Sequence, residues 1–272
     1  MISFPNCKIN IGLNIVGKRS DDFHNIETVF YPLTLCDALE VLPSKSLAGD
    51  EFIMQGIQLE GDPEQNLCIK ALQLMRKEIA FQPVKIVLMK KIPIGAGLGG
   101  GSSDAVFTLK MVNEYSDAGY SDEQLIGMSS KLGSDCPFFI INKSVFATGK
   151  GDQMTPVSFS LEGYTIVIVK PPVFVSTAEA YSGTTPVIPE RSLKELIQLP
   201  VSEWHDVIKN DFEKTIFQHH PEIAAIKQKM YDMGAVYASM SGSGSSVFGI
   251  FNESLKAPDS FPGCFYHEEK GL

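Results

Sequence analysis

The sequence has 272 residues, 44% of them hydrophobic, which is enough chain for one large domain or two smaller ones. Its formal net charge of −9 argues against a nucleic-acid-binding surface, so an anionic ligand has to be met by local cations and backbone amides. Because it has no apolar run near the ~20 residues that span a bilayer, no signal-peptide pattern and only scattered cysteines, we expect a cytoplasmic protein with reduced thiols and no membrane partner.

The first predicted element is a strand over residues 7–15, where apolar and polar residues alternate. The period of two places Lys8 and Asn10 on one face of this strand, and Gly12 leaves space beside them. That face is either the solvated side of an ordinary strand or part of a ligand site. The pattern alone leaves both interpretations open.

A charged loop over residues 17–24 follows and ends in an aromatic and an imidazole side chain, Phe23 and His24. The pair either forms a platform for a ligand or anchors the loop to the core. A helix is then predicted over residues 67–75, because its apolar residues recur at helical spacing. Asn66 stands immediately before this helix and either caps it or touches a ligand.

The most distinctive stretch is glycine-rich: five of the seven residues at 95–101 are glycine, and two serines follow. It lies between a predicted strand over 84–91 and a predicted helix over 104–115. Glycines let the backbone approach a ligand closely, and the free amides at a helix start suit phosphate. A dinucleotide fingerprint and a Walker loop fit poorly, because no acidic residue closes a second strand about 20 residues on and no lysine follows the glycines. We therefore predict a phosphate-binding loop, with a glycine-rich packing turn as the alternative.

A second chemical stretch lies at residues 133–137. Pro137 suits the first residue of a helix, so Asp135 or Cys136 is a candidate helix cap. The competing interpretation makes Asp135 a catalytic base held beside the glycine loop.

In the second half of the chain, residues 164–170 predict a buried strand that stops at two prolines. The loop that follows carries Thr177 and Tyr181. Farther along, the Gly/Ser-rich residues 239–246 run into another strand, and we interpret them as a tight turn rather than a ligand site.

Taken together, these stretches resemble the GHMP kinases, a superfamily of ATP-dependent small-molecule kinases. Residues 93–103 are similar to the phosphate loop of that superfamily, and Asp135 and residues 242–244 look like its other two motifs in the right order. The combination of Lys8, His24 and Asp135 narrows the resemblance to a member whose substrate carries a cytidine diphosphate.

The resemblance implies an α+β, two-domain GHMP kinase fold, with the active site in the cleft between the domains. An N-terminal ATP-binding domain is expected over residues 1–158 and a C-terminal domain over residues 159–272. We also expect a monomer or a weak homodimer.

The resemblance further implies that Asp135 accepts the proton of the attacking hydroxyl, while Lys8 keeps Asp135 ionised and offsets charge at the transfer site. ATP is expected to contact Asn66, more loosely the Lys90–Lys91 region, and the whole glycine loop. That loop comprises Pro93, Ile94, Gly95, Ala96, Gly97, Leu98, Gly99, Gly100, Gly101, Ser102 and Ser103.

For the substrate, the resemblance implies that Asn10 and Thr177 position the part that carries the reacting hydroxyl. The cytosine is expected to stack between Phe23 and Tyr181 and to form hydrogen bonds with His24. A Gly-Tyr-His run is typical at this loop, whereas this sequence has Asp-Phe-His, which keeps the stacking face and loses the hydroxyl.

Magnesium is expected with ATP, because it neutralises the β and γ phosphates. Its ligands are unknown, with Ser102, Ser103 and Asp104 as candidates by position. Two alternative functions are a homoserine-type or mevalonate-type kinase of the same superfamily, and a non-catalytic nucleotide-binding protein with the same fold.

Overall fold

The computed structural model describes residues 1–21, 23–46, 49–58 and 62–272. These residues separate into two compact units, each assembled from several segments of the chain. Unit 1 consists of Met1–Cys7, Leu35–Ile94 and Gly99–Asn142, and unit 2 consists of Lys8–Thr34, Gly95–Leu98 and Lys143–Leu272. Both units contain helices and strands, so the predicted α+β class is confirmed. Because these units interleave along the chain, the division at residue 158 stays a prediction.

The strands, in chain order, are β1 (Ile2–Ser3), β2 (Asn6–Lys18), β3 (His24–Cys36), β4 (Ala38–Pro43), β5 (Glu51–Gly56), β6 (Val84–Lys90), β7 (Val145–Thr148), β8 (Gln153–Pro156), β9 (Thr165–Lys170), β10 (Tyr237–Met240), β11 (Val247–Phe251) and β12 (Phe265–Lys270). The α-helices are α1 (Leu67–Glu78), α2 (Gly100–Tyr115), α3 (Asp122–Ser129), α4 (Phe138–Ile141), α5 (Thr177–Ser182), α6 (Leu193–Leu196), α7 (Trp204–Val207), α8 (Glu213–His219) and α9 (Pro221–Asp232). Short 3₁₀ turns cover Pro63–Gln65, Val201–Glu203 and Pro258–Ser260.

Unit 1 contains a sheet of strand order β1-β4-β6-β5, in which only the β5–β6 pair among those described is parallel. Alternate residues of β6 are buried, as the predicted strand at this position requires. Helix α2 buries the apolar face predicted from its spacing but begins at Gly100, inside the glycine-rich stretch. The last glycines of that stretch are therefore helical.

Unit 2 contains most of a sheet of order β2-β3-β7-β8 and the whole of a second sheet of order β10-β11-β9-β12. The predicted buried strand is β9, whose residues from Thr165 to Val169 are all buried between its neighbours β11 and β12. Strand β2 is buried along most of its length, and the buried part includes the two polar residues predicted to share a face, Lys8 and Asn10. No helix in the described ranges is long and apolar enough to cross a membrane.

Candidate functional site

Lys8 on strand β2 is 3% exposed, so the interpretation of its face as the solvated side of an ordinary strand is wrong. Its ammonium donates to Asn10 Oδ1 and to the carbonyl oxygen of Gly97 at 3.3 Å. It also lies 4.9 Å from the centroid of the Phe30 ring. A buried cation acts strongly on a nearby anion, because burial weakens solvent screening of its charge.

Asn10 is also buried and links Lys8 to the neighbouring strand. Its Nδ2 donates to Thr28 Oγ1 at 2.9 Å, and the Thr28 hydroxyl donates to the carbonyl oxygen of Gly12 at 2.7 Å. Its backbone N–H donates to Ser241 Oγ at 3.1 Å. The residue that orients Lys8 is thus held by one further side-chain hydrogen bond and one backbone hydrogen bond.

The first part of the glycine stretch, Gly95–Leu98, belongs to unit 2 and lies against the Gly/Ser-rich turn at 241–246. Ser241 Oγ donates to the Gly97 carbonyl at 2.9 Å, and Lys8 N–H donates to the Leu98 carbonyl at 3.0 Å. Gly97 has φ +73°, and a Cβ there would lie 2.0 Å from the Ser241 carbonyl oxygen. Residues 241–246 form a tight turn, as predicted, and this turn requires a glycine at position 97.

The second part of the stretch begins helix α2 in unit 1. Gly99 is the N-cap residue, with the left-handed φ of +69°, and no side chain among the described residues caps the helix. The first intrahelical bond runs from Ser103 N–H to the Gly99 carbonyl, so the N–H groups of Gly100, Gly101 and Ser102 have no partner within the helix. Three such amides at the positive end of a helix dipole suit a phosphate.

Position 100 requires a glycine because of packing within unit 1. A Cβ at this position would lie 2.9 Å from both Ile92 Cγ2 and Lys90 Nζ, within unit 1. Gly100→Val would therefore disturb the packing of unit 1, so it could not separate an effect on ATP binding from an effect on the fold. Gly101 is exposed, with Leu67 Cδ1 at 3.8 Å as the nearest neighbour of an added Cβ, and is the better probe of ligand approach.

A buried charge cluster, missed in the sequence, lies beneath the start of helix α2. Lys90 Nζ forms ion pairs with Asp37 and with Asp104, the latter at 2.8 Å, and all three side chains are at most 3% exposed. Asp37 Oδ1 also accepts from the backbone N–H of Ile92 at 2.8 Å. The sequence did contain a signal for this cluster, because Lys90 is a charged residue at the end of the mostly apolar strand β6. The expected contact of the Lys90 region with ATP cannot come from the Lys90 ammonium while it is engaged in this cluster.

The cluster contains two carboxylates and one ammonium, and its electrostatics follow from that imbalance. Burial and the neighbouring charge of Asp37 raise the pKa of Asp104 to about 7, although Lys90 opposes the rise. Burial acts to lower the pKa of Lys90, but the carboxylates of Asp104 and Asp37 raise it above its ordinary value. Lys90 therefore stays charged, and Asp104 titrates near neutral pH.

The three candidate magnesium ligands differ in how well they fit. Asp104 is 2% exposed and engaged by Lys90, so it fits poorly. Ser103 is fully buried, and its Oγ finds no partner among the described residues. Ser102 is partly exposed in the first turn of α2 and fits an ion held mainly by phosphate oxygens and water. No group of three or more His, Cys, Asp or Glu residues in the described ranges is arranged to hold a metal.

Asp135 lies in the loop before helix α4 and is partly exposed. The N-cap residue of α4 is Pro137 and no side-chain hydrogen bond caps it, so the interpretation of Asp135 or Cys136 as a helix cap is wrong. The Ser134 hydroxyl lies 3.4 Å from Asp135 Oδ1. Burial raises the pKa of the Cys136 thiol to about 12, which excludes a thiolate nucleophile beside Asp135.

Asn66 acts as the N-cap of helix α1, because its Oδ1 accepts from Cys68 N–H at 2.9 Å. The capping interpretation is confirmed. Asn66 lies in unit 1, as does the helix start at Gly100.

The predicted substrate residues of unit 2 are only partly brought together. The rings of His24 and Tyr181 stack with centroids 4.7 Å apart and an interplanar angle of 17°. Phe23 is 56% exposed, and Lys150 Nζ lies 4.8 Å from its ring centroid. Thr177 is the exposed first residue of helix α5. The departure from the typical loop at position 22 lies outside the described residues.

Comparison with family models identifies two domains in the chain. Residues 66–143 match the GHMP kinases N terminal domain, and residues 187–259 match the GHMP kinases C terminal domain. The first match contains Asn66, the glycine loop and Asp135.

Two relatives cover nearly the full length of the chain. A 4-diphosphocytidyl-2-C-methyl-D-erythritol kinase of Parabacteroides distasonis is 51% identical over 270 residues, which is 98% of each chain. The protein of the same name from Bacteroides fragilis is 52% identical over 258 residues, or 94% of each chain.

Solved structures agree with this result. A crystal structure of 4-(cytidine 5'-diphospho)-2C-methyl-D-erythritol kinase superposes with a TM-score of 0.84 at 27% identity and covers 100% of both chains. A mevalonate kinase covers 100% of this chain and 98% of its own with a TM-score of 0.66, but at 14% identity it shows the fold alone.

Proposed function

The chain belongs to the 4-diphosphocytidyl-2-C-methyl-D-erythritol kinase family of the GHMP kinases, and from that membership we propose that it phosphorylates the 2-hydroxyl of 4-diphosphocytidyl-2-C-methyl-D-erythritol with ATP, in the non-mevalonate isoprenoid pathway. The observation that carries the proposal is the identity of about half of all residues with relatives of that name over nearly the whole chain. The buried Lys8 and the uncapped, glycine-rich start of α2 support a phosphotransferase.

Phosphoryl transfer needs positioning and charge stabilisation more than covalent chemistry by the protein. We assign the proton of the attacking hydroxyl to Asp135, whose carboxylate is partly exposed and does not cap helix α4. Lys8 offsets the negative charge that develops at the transferred group. Its environment supports this role, since burial strengthens the electrostatic effect of the ammonium.

The phosphates of ATP are assigned to the amides of Gly100, Gly101 and Ser102 at the start of α2. Magnesium, when bound with ATP, would neutralise part of the phosphate charge, and Ser102 is the residue that would hold it. We assign Asn66 to the adenosine part of ATP. Its Oδ1 already accepts the capping hydrogen bond from Cys68 N–H.

The cytidine is assigned to Phe23, His24 and Tyr181. Because His24 now stacks on Tyr181, a cytosine between Phe23 and Tyr181 requires the imidazole to leave that face. The imidazole would then turn an edge toward the base and form hydrogen bonds with it. Asn10 and Thr177 are assigned to the methylerythritol part.

The test is a kinase assay with purified protein, ATP and magnesium. The protein should phosphorylate 4-diphosphocytidyl-2-C-methyl-D-erythritol and should turn over homoserine and mevalonate only at background. Lys8→Met is the matched control, because it keeps a buried aliphatic side chain and removes the charge, and it should abolish the activity. Higher turnover of homoserine or mevalonate would establish the alternative kinase, and ATP binding without turnover of any acceptor would establish a non-catalytic nucleotide-binding protein.

We further propose that the enzyme works in the cytoplasm as a monomer or weak homodimer. The five cysteines are scattered along the sequence and odd in number, with no paired spacing, which supports a reducing compartment.

A further inference from the structure

Residues 210–213, which lead from the connection after helix α7 into the first residue of α8, read Asn-Asp-Phe-Glu and place three polar side chains within four residues. Asn210 is 3% exposed and Glu213 is 9% exposed. Buried polar side chains are costly unless hydrogen-bonded, so their partners indicate what they hold in place.

Asn210 uses both hydrogens of its side-chain amide on one backbone segment. Its Nδ2 donates to the carbonyl oxygens of Met240 and Gly242, each at 2.8 Å, and its Oδ1 accepts from Phe212 N–H at 3.0 Å. The two carbonyls flank Ser241 in the chain. A single planar amide therefore determines the backbone orientation on both sides of Ser241.

The neighbours of Asn210 connect the same stretch to two strands. Glu213 Oε1 accepts from Met240 N–H at 2.8 Å and from Ser239 Oγ at 3.1 Å, at the end of β10. Asp211 Oδ2 accepts from the N–H of Ile15 at 2.7 Å, on strand β2. Side chains of one short segment, residues 210–213, thus accept hydrogen bonds from both the end of β10 and strand β2.

The turn held by Asn210 contacts the residues assigned to catalysis. Ser241 Oγ accepts from Asn10 N–H and donates to the Gly97 carbonyl, and Lys8 Nζ donates to that same carbonyl. We infer that Asn210 is a positioning residue, which fixes Lys8 for phosphoryl transfer through Ser241 and Gly97. This inference rests on the proposed function, since Lys8 is the group through which Asn210 acts.

The experiment compares Asn210→Asp with Asn210→Ala. Both variants lose the two donated hydrogen bonds, but aspartate keeps the oxygen that accepts from Phe212 N–H. A misplacement of about 1 Å can cost about 100-fold in rate, so near pH 8 both variants should lose at least about tenfold in kcat while keeping the KM for ATP within about threefold.

The pH profile separates positioning from folding. An aspartic acid at position 210 would be buried against two carbonyl oxygens and beside the Asp211 carboxylate, which favours its protonated form. The Glu213 carboxylate adds less, because Lys227 Nζ on helix α9 pairs with it at 2.6 Å. The protonated acid can donate one of the two lost hydrogen bonds. Relative to wild type, kcat of Asn210→Asp should therefore recover by about threefold or more between pH 8 and pH 6, whereas that of Asn210→Ala should not.

A folded Asn210→Asp variant with kcat within about threefold of wild type would overturn the inference, as would the absence of any recovery beyond that of Asn210→Ala. Where neither variant folds, Ser241→Ala tests the same connection, because it removes the hydroxyl between Asn10 and Gly97, and unchanged kcat would then refute the inference.

Amide hydrogen exchange makes the inference distinguishable from the proposed function. Ser241 N–H and Gly244 N–H form hydrogen bonds within the turn, and both should exchange at least about tenfold faster in Asn210→Asp. Wild-type protein without kinase activity would refute the proposed function, whatever the exchange result. Unchanged exchange in an active, folded variant would refute the role of Asn210 alone.

Discussion

The charge cluster beneath helix α2 predicts an unusual response to the loss of a buried ion pair. Removing one partner of a buried pair generally costs about 3–5 kcal/mol, because it leaves a charge uncompensated. Here Asp37 and Asp104 share the single ammonium of Lys90, so one carboxylate is in excess. Asp104→Asn should therefore avoid this cost and should gain stability over wild type as the pH rises.

The sign follows from the pKa of Asp104, which is raised from 3.8 to about 7 by burial and by Asp37. Between these two values the folded protein binds more protons than the unfolded chain, so this carboxyl lowers the stability of wild type as the pH rises toward 7. The asparagine side chain of the variant does not titrate. The free energy of unfolding of the variant, relative to wild type, should accordingly rise by on the order of 2 kcal/mol between pH 5 and pH 8.

The assay is urea unfolding of both proteins at matched pH values. The difference between their free energies of unfolding removes the contribution of every group that titrates alike in both. Asp37→Asn is the matched control, because Asp37 also accepts from the backbone N–H groups of Lys91 and Ile92. An asparagine that keeps those bonds turns its N–H₂ group toward the Lys90 ammonium, so this variant should lose stability at every pH. If Asp104→Asn lost a similar amount near pH 8, or if its difference from wild type did not change with pH, then Asp104 would not be the excess carboxylate.

Three further predictions concern activity. Gly101→Val should weaken ATP binding by at least about tenfold without unfolding the protein, whereas Gly127→Ala, at another glycine with open space around it in helix α3, should leave calorimetric binding unchanged. Asp135→Asn should lower kcat by about 10²–10⁴-fold with ATP affinity retained, and a loss within about threefold would remove Asp135 from the reaction. Phe23→Ala and His24→Ala should each raise KM for the cytidine substrate, consistent with base stacking worth about 1–3 kcal/mol, while KM for ATP stays constant; an equal rise in both constants would contradict separate subsites.

The glycine-rich stretch shows what sequence could and could not predict. Its composition correctly indicated tight turns and a helix start, because glycine and its neighbours carry that information locally. It could not assign a role to each glycine. Position 97 requires glycine because a Cβ there would clash with the Ser241 carbonyl oxygen, and position 100 because a Cβ would clash with Ile92 and Lys90. These neighbours lie outside the glycine-rich stretch, so its composition does not reveal them. Of these three positions, only Gly101 would give an added Cβ no contact shorter than an ordinary van der Waals distance, with Leu67 Cδ1 at 3.8 Å.

The alternation along β2 likewise placed Lys8 and Asn10 on one face, but it did not determine whether that face is buried or solvated. That face is buried because the residues covering it come from distant positions, among them Thr28 and Ser241. Asn210 and Asp37 were missed for the same reason, since a polar residue beside an apolar segment is common at element ends. Their significance depends on partners that periodicity does not identify.

The orientation of the Asn10 amide illustrates how such distant contacts determine chemistry. Thr28 donates its only hydroxyl proton to the Gly12 carbonyl, so it can only accept from Asn10. The amide nitrogen must then face Thr28, and Oδ1 must face Lys8. With the amide reversed, an N–H₂ group would meet the ammonium, and Lys8 would lose an acceptor. A hydroxyl that does not contact Lys8 therefore determines whether the ammonium meets a donor or an acceptor, and this follows from the count of protons alone.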